Sequence, residues 1–252
     1  TMTTAFVEEI REKTDKKEMQ IVGEHDLGGE VWTERPEMSA EPVWVLDEKY
    51  TGESRRDKIS RARGKLQEEG ADVLILSALD EIAWLLNLRG HDVAYTPVFL
   101  SYMLLEQEKA VLCIQEQVLS EGIRADLEAD GIEIKPYGDI YRLAAELPAE
   151  KTVWIDKESA NYRLFSSVGT HKAVITKDSP VILMKAMKNA CEAKNIREAH
   201  IKDGVAVTRF MHWLKTHAGK EKITEISAAD RLEEFRKEMD GFIEQSFDSI
   251  IG

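Results

Sequence analysis

The stretch from residue 73 to residue 97, VLILSALDEIAWLLNLRGHDVAYTP, decides the fold. Its unbroken apolar run, Val73–Leu76, is typical of a strand that is covered on both faces of a sheet. The apolar cluster Ile82–Leu86 predicts a short helix directly after this strand. Asp80 is placed to cap the helix, because its carboxylate can accept a free N–H of the first turn. Gly90 can adopt the positive φ that ends the helix.

The loop after this helix concentrates ionisable side chains. Arg89, His91 and Asp92 lie within four residues of one another, and Tyr95 follows closely. Binding groups are often carried by such loops. Two interpretations stay open. In the structural one, Arg89 and Asp92 pair with each other or with the backbone, whereas in the functional one the loop carries binding groups.

Composition excludes several classes of partner. The chain has 252 residues, is 43% hydrophobic, and carries 34 Lys and Arg against 47 Asp and Glu, for a net charge of −13. This charge argues against nucleic acid and anionic membranes as main partners, because binding to either requires a positively charged surface. No apolar run approaches the roughly 20 residues of a membrane span. Cys113 and Cys191 lack zinc or disulfide spacing, so we expect free thiols and a cytoplasmic location.

Helices and strands alternate through residues 51–183, which predicts an α/β fold with a mixed sheet. Val98–Leu105 and Lys109–Ile114 are separated by a turn short enough for an antiparallel hairpin. Helix termini are indicated by a capping box at Ser54, by Gly70, and by Ser179 followed by proline. The remaining strands are predicted at Ile132–Ile134, Thr152–Ile155 and Ala173–Ile175, and the helices between them contain Ile123 and Leu127, Ile140 and Leu143, and Tyr162–Phe165.

The regular alternation of helices and strands does not extend to either end of the chain. Towards the N-terminus we predict a short strand at Met19–Val22, an apolar turn at Leu27–Trp32 and a proline-punctuated linker. Towards the C-terminus we predict a long helix over Asn189–His217, a second helix capped by Thr224, and one or two strands between Phe242 and Ile251. Two amphipathic helices and a strand do not close a core, so we expect an incomplete domain there.

A complete catalytic set is missing from the sequence. It contains no GxSxG, P-loop, GxGxxG, HExxH or EF-hand motif. His212 and His217 are five residues apart, which does not place them on one helix face as a metal pair requires. His200 and Asp203 could reach one ligand, although a polar pair on an amphipathic helix is the simpler interpretation. On its residues alone, the chain is predicted to be non-catalytic.

Residues 80–99, DEIAWLLNLRGHDVAYTPVF, resemble the middle domain of three-domain cytosolic Xaa-Pro aminopeptidases (aminopeptidase P). Other segments resemble the same family in the same order: EVWTERP at 30–36, YTGES at 50–54, REAHIKD at 197–203 and TEISAAD at 224–230. The resemblance implies a creatinase-like mixed sheet flanked by helices, followed by the first helices of an incomplete pita-bread domain. The implied segments are 1–47 (tail of a first creatinase-like domain and linker), 48–185 (middle domain) and 186–252 (start of the metallopeptidase domain).

The family's activity is the removal of an N-terminal residue from peptides with proline in second position. The resemblance implies two divalent metal ions, usually manganese, held in the complete enzyme by two Asp, one His and two Glu. None of these ligands can be matched to this sequence, so His200, Asp203 and Asp230 are not assigned as ligands, and no catalytic residue is assigned. The chain alone is therefore expected to be inactive, and to serve in homodimer formation and in restricting substrate access. The candidate residues for substrate access or an interface are Arg89, His91, Asp92 and Tyr95.

Two other functions stay open beside this one. The chain could be a stand-alone creatinase-like binding or assembly module without peptidase activity, or part of an amidinohydrolase or dipeptidase of the same superfamily. The tryptophan-containing motif of residues 80–99 and the three-segment layout favour the aminopeptidase. A downstream gene segment with the metal-ligand set would decide for the enzyme, and a stop codon would decide for the module.

Overall fold

A computed structural model describes residues 2–15, 19, 25–169 and 173–251. The chain divides into two compact units. The first consists of residues 1–46, 53–92 and 97–187, and the second of residues 47–52, 93–96 and 188–252. Each unit is described by itself.

The helices and strands alternate along the first unit, as the sequence predicts. In chain order, the helices are α1 Thr4–Asp15, α2 Leu27–Val31, α3 Glu48–Thr51, α4 Arg55–Glu69, α5 Leu79–Leu86, α6 Glu121–Ala129, α7 Asp139–Glu146, α8 Tyr162–Val168, α9 Pro180–Ala186, α10 Ala190–His217 and α11 Glu225–Lys237. The strands are β1 Trp44–Val45, β2 Val73–Leu76, β3 Leu88–Arg89, β4 Ser101–Glu106, β5 Ala110–Ile114, β6 Ile132–Pro136, β7 Thr152–Ile155 and β8 Ala173–Ile175.

A mixed sheet with the order β6-β5-β4-β2-β7-β8 forms the centre of the first unit. Strand β4 runs antiparallel to both of its neighbours, β2 and β5. The pairs β5–β6, β2–β7 and β7–β8 are parallel. The predicted hairpin and the predicted mixed sheet are therefore confirmed. Strands β1 and β3 form a separate antiparallel pair, in which Trp44 lies opposite Arg89.

Both faces of the sheet are covered by helices. Successive residues of a strand point to opposite faces, and β2 shows this clearly. Leu74 and Leu76 join a core cluster with residues of α4, α5, α6 and α9. Val73 and Ile75 join a second cluster with residues of α7 and α8. All four β2 residues are buried, which explains why this strand is an unbroken apolar run rather than an alternating one.

Most of the predicted helix termini are confirmed. The Ser54 side chain accepts the main-chain N–H of Asp57, and Gly70 ends α4 in the left-handed conformation. Ser179 caps α9 with proline at its first position. Asn189 and Thr224 each close a capping box, at the starts of α10 and α11.

The predicted boundaries of α5 are wrong at both ends. Ala78 holds the cap position without a side-chain hydrogen bond, and Asp80 lies inside the first turn, where it pairs with Lys185 of α9. Asn87, not Gly90, takes the left-handed conformation that ends the helix, with φ of 54°. Gly90 is required for another reason: a Cβ there would lie 2.8 Å from the Cβ of Phe99.

Two predictions near the chain ends differ from the structure. Leu27–Val31 forms the short helix α2 rather than a turn, because the Asp26 side chain accepts the N–H of Gly29 and caps it. Residues 242–251 contain no strand in the described structure. The strand predicted at Met19–Val22 lies largely outside the described residues.

The second unit is built around the pair α10 and α11. Its core contains Ala206 and Phe210 of α10 and Ala228, Leu232 and Phe235 of α11. Helix α3 also belongs to this unit, and the Asn189 side chain donates to the main-chain oxygen of Thr51 over 2.7 Å. The long α10 confirms the helix predicted over Asn189–His217.

Candidate functional site

The side chains that hold the end of α5 form a buried polar arrangement in the first unit. Lys58 of α4 is fully buried, and its Nζ donates to the main-chain oxygen of Trp84 over 3.0 Å and to Oδ1 of Asn87 over 2.7 Å. The same ammonium group lies 4.1 Å from the centroid of the Trp84 ring, a cation–π distance. Asn87 also donates to the main-chain oxygen of Glu53 over 2.8 Å. These bonds fix where the chain leaves α5 and enters residues 88–92.

Arg89 and His91 lie directly after this point. Nη1 of Arg89 donates to the main-chain oxygens of Ala83 and Leu88, each over 2.8 Å. The exposed His91 ring stacks on the ring of Trp44, with 6.3 Å between centroids. Arg89 therefore ties the segment back to α5, while His91 packs on strand β1.

Asp92 binds a neighbouring part of the chain. Its Oδ1 accepts the hydroxyl of Ser39 and the main-chain N–H of Glu41, the latter over 3.1 Å. Its Oδ2 accepts the N–H of Leu100 over 2.8 Å. A half-buried carboxylate with three donors is a strong structural tie, so Asp92 links the proline-punctuated segment to the start of β4. The structural interpretation of this loop includes bonds to the main chain, and both Arg89 and Asp92 make such bonds.

Tyr95 belongs to the second unit. Its backbone has φ of 62°, which is rare for an aromatic residue. Its hydroxyl donates to Asp248, and this hydrogen bond raises the pKa of Tyr95. The four residues predicted as one group are thus divided, with Arg89, His91 and Asp92 in one unit and Tyr95 in the other.

A second polar group lies at the carboxyl ends of the parallel strands β2 and β7. After β2 the chain turns to α5 on one face of the sheet, and after β7 it turns to α8 on the other. This arrangement is a topological switch point, where α/β proteins often place polar groups. Ser77 follows β2 and Asp156 follows β7, and the Ser77 and Ser159 hydroxyls lie 3.0 Å apart. Glu81 of α5 is also buried here, with 2% of its surface exposed.

Burial raises the pKa of Glu81 to about 7. A hydrogen bond from Ser179 opposes this shift in pKa, and the negative charge of Asp156 adds to it. Oε2 of Glu81 is buried without a hydrogen-bond partner. A buried carboxylate oxygen without a donor strongly favours the neutral acid.

Sequence reasoning missed Lys58, Asn87 and Glu81. Lys58 and Glu81 are residue types that are almost never fully buried, so their local sequence gives no reason to expect them in the core. One signal was available for Asn87, because asparagine follows an apolar helix there and is the residue after glycine that most readily adopts the left-handed conformation. Nothing in the local sequence indicates that Lys58 and Asn87, 29 residues apart, are bonded to each other.

The described residues form neither a metal-ligand cluster nor a membrane-spanning helix. Among these residues no group of three or more His, Cys, Asp or Glu side chains is arranged to hold a metal ion. Asp203 of α10 accepts Nε of Arg236 over 2.7 Å, whereas the neighbouring His200 is exposed. Both cysteines are free thiols. Of the described helices, none has the length and hydropathy needed to cross a bilayer.

Residues 34–192 match the family model described as the creatinase/prolidase N-terminal domain. This match covers the whole of the mixed sheet and its flanking helices. The fold class predicted from the sequence is therefore confirmed.

Two curated proteins are similar to most of the chain. The "Probable Xaa-Pro aminopeptidase P" of Sordaria macrospora is 38% identical over 232 residues, which cover 87% of this chain and 38% of that protein. The "Xaa-Pro aminopeptidase 1" of Dictyostelium discoideum is 36% identical over 222 residues, covering 86% of this chain and 35% of that protein. These similarities confirm the resemblance seen in residues 80–99.

A crystal structure of an X-prolyl aminopeptidase from Caenorhabditis elegans, described as a cytosolic enzyme with a di-nuclear active site, superposes with a TM-score of 0.89 at 30% identity. The superposition covers 98% of this chain and 41% of the nematode chain. The chain thus spans between 35% and 41% of the length of these three proteins.

Proposed function

The chain belongs to the creatinase/prolidase N-terminal domain family, and we propose that it is the non-catalytic N-terminal and middle portion of an Xaa-Pro aminopeptidase. Its similarity to proteins of that name over 86–87% of its length carries the proposal. The complete enzyme would be a hydrolase that removes the first residue of short peptides with proline in second position. The cytosolic description of the nematode protein supports a cytoplasmic location.

The proposed segments follow the family resemblance. Residues 1–47 would be the tail of a first creatinase-like domain with its linker, residues 48–185 the middle domain, and residues 186–252 the first part of a pita-bread metallopeptidase domain. The mixed sheet lies within the second of these segments. Helices α10 and α11 lie within the third.

The two metal ions implied by the family do not fit the described residues. No cluster of three or more suitable ligands is present in residues 2–15, 19, 25–169 and 173–251. We therefore assign neither a metal ligand nor a catalytic step to this chain. In the complete enzyme the ions, manganese by family resemblance, would be bound by other residues, in keeping with the di-nuclear site described for the nematode protein.

The contribution of this chain would be homodimer formation and restriction of substrate access. Arg89, His91, Asp92 and Tyr95 are the residues proposed for these roles. The exposure of His91 supports such a role, whereas Arg89 and Asp92 would act by holding the segment in place through their main-chain contacts. Selection for short peptides would then depend on shape and exclusion.

The activity of the chain is tested by incubating it with an Xaa-Pro-Pro peptide and Mn²⁺, beside a complete homologous enzyme as the positive control. We expect release of the N-terminal residue only in the control. Turnover by catalytic amounts of the chain itself would contradict the non-catalytic role.

The loop residues are tested in the complete enzyme. Arg89→Ala should change KM or the association state, because it removes the bonds that tie residues 88–92 to α5. KM is measured with the same peptide and association by analytical ultracentrifugation. If neither quantity changes, Arg89 has only a structural role. Reading the gene downstream of residue 252 separates the enzyme from the stand-alone module.

A further inference from the structure

Glu81 is an acid enclosed between three elements of the first unit. It lies in the first turn of α5, accepts a hydrogen bond from Ser179 at the start of α9, and is close enough to Asp156, after β7, for the two charges to repel. Only 2% of its surface and 6% of that of Asp156 are exposed. Two carboxylates so enclosed cannot both ionise without a large electrostatic cost.

The charged groups on the elements packed around α5 are engaged in other contacts. Lys185 of α9 pairs with Asp80, Arg89 of β3 donates to main-chain oxygens, and Lys58 of α4 bonds to Trp84 and Asn87. The other charged groups of α4 and β4 pair as follows: Arg55 and Arg56 with Asp130, Arg61 with Glu53, Lys65 with Glu68, Glu69 with Lys177 and Glu106 with Lys151, while Asp57 accepts from Ser54 and Arg63 donates to the main-chain oxygen of Glu106. The N-terminal dipole of α5 favours a negative charge on Glu81. The full desolvation of Oε2 opposes that charge.

We propose that Glu81 carries a proton below neutral pH, and that its ionisation weakens the packing of α5 against α9. The enclosed carboxyl group is then a pH-sensitive contact at the topological switch point. The proton sits on a carboxyl oxygen of Glu81 and passes to solvent when the group ionises, so that the new negative charge on Glu81 is unfavourable beside Asp156. The raised pKa of Glu81, about 7, agrees with this geometry.

The contact is connected to residues 88–92 through α5 itself. Arg89 donates to the main-chain oxygen of Ala83, two residues after Glu81 on the same helix. Asn87, which ends the helix, accepts from Lys58 through its side chain and from the main-chain N–H of Leu46, just after β1, through its main-chain oxygen. A displacement of α5 therefore changes the position of Arg89, His91 and Asp92.

The proposal predicts how the equilibrium between folded and unfolded chain depends on pH. A carboxyl group whose pKa is raised in the folded state stabilises the fold at low pH, and this stabilisation is lost as pH rises through the folded pKa. With a pKa of about 7 against an ordinary value of 4.5, the ratio of folded to unfolded chain should fall about 30-fold from pH 5.5 to 8.5. Glu81→Gln, which imitates the protonated acid, should remove this fall.

Urea denaturation followed by tryptophan fluorescence at each pH measures the ratio. Asp80→Asn is the matched control, since it neutralises the neighbouring carboxylate that pairs with Lys185 at the surface, and it should leave the fall in place. Asp156→Asn should move the midpoint of the fall to lower pH, because it removes the repelling charge. Parallel pH curves for the natural chain and Glu81→Gln would overturn the proposal.

Infrared spectroscopy tests the proton without reference to stability. At pH 6 the natural chain should show the carbonyl band of a protonated carboxylic acid, and Glu81→Gln should lack it. Absence of that band from the natural chain would also overturn the proposal. Hydrogen exchange tests the link to the loop: at pH 8.5 the amides of residues 88–92 should exchange faster in the natural chain than in Glu81→Gln, and equal rates would contradict a displacement of α5.

Discussion

Nζ of Lys58 donates a hydrogen bond to Oδ1 of Asn87 over 2.7 Å, at a position where Lys58 has no solvent exposure and Asn87 has 3%. A lysine on one helix thereby fixes the residue that ends the next helix. The bond also holds the side chain of Asn87, whose left-handed backbone ends α5 after Leu86.

Lys58→Met should destabilise the first unit by about 3 kcal/mol. The change retains the apolar stem but leaves the main-chain oxygen of Trp84 and the side chain of Asn87 without their donor, and buried acceptors left alone are costly. Urea denaturation measures the effect. Lys65→Met is the matched control on the same helix, where the lysine is 49% exposed and pairs with Glu68, and it should change stability by less than about 0.5 kcal/mol. Equal effects of the two changes would refute the role given to Lys58.

Asn87→Gly and Asn87→Ala separate the backbone from the side chain at the end of α5. Both remove the bonds to Lys58 and Glu53, but glycine adopts φ of 54° without the cost that alanine meets. The Asn87→Ala variant should therefore be less stable than the Asn87→Gly variant by about 1 kcal/mol. If the two variants unfold at the same urea concentration, the left-handed backbone is not under strain and the helix end has another cause.

Gly90→Ala and Gly64→Ala should change the free energy of unfolding in opposite directions. A Cβ at residue 90 would lie 2.8 Å from the Cβ of the buried Phe99 and 3.0 Å from the main-chain oxygen of Val98. We expect a loss of about 2 kcal/mol, as for other overpacked sites. At residue 64, inside α4, a Cβ meets nothing within 4 Å. Alanine there should raise the free energy of unfolding by about 0.5–1 kcal/mol through its higher helix propensity. Thermal unfolding of both variants checks the pair.

Asp92→Ala should release the segment before β1. The change removes the acceptor for the Ser39 hydroxyl and for the main-chain N–H groups of Glu41 and Leu100. We expect a loss of about 2 kcal/mol and faster proteolysis near residues 39–41. Asp178→Ala, at an exposed carboxylate of the same unit, serves as the control. Unchanged proteolysis in Asp92→Ala would show that other contacts hold this segment.

The two thiols should differ in reactivity. Cys113 of β5 is fully buried, and burial raises the pKa of its thiol to about 12. The thiolate is the reactive form, so Cys113 should not react with a disulfide reagent at pH 8 while the chain is folded. Cys191 is partly exposed and should react. Counting released thiol chromophore should give one equivalent in the folded chain and two in denaturant, and Cys191→Ser should remove the first of these.

The sequence predicts the elements whose causes are local. Val73–Leu76 is apolar at every position because both faces of its strand are covered, and Ser54 and Ser179 cap helices through bonds to residues two or three positions away. These signals need no knowledge of the rest of the chain. The resemblance in residues 80–99 then supplied the family and the order of the segments.

The features missed by sequence reasoning depend on distant partners. Asp80 does not cap α5 because Ala78 holds the cap position, and the Asp80 carboxylate pairs instead with Lys185, far along the chain. Glu81 is buried because Ser179 and Asp156 come from later elements that cover it. In both cases one residue type is compatible with several local roles, and the tertiary partner decides which role it takes.

The order of strands also has a consequence for synthesis on the ribosome. Strand β2 pairs on one side with β4, which emerges from the ribosome soon after it, and on the other side with β7. Val73 can therefore pair with Val153 only after the chain has been synthesised as far as β7. Closing that longer loop is slower and costs more entropy. During this interval one edge of the wholly apolar β2 is open, a condition that favours aggregation. We therefore expect nascent chains released before residue 152 to require chaperone protection.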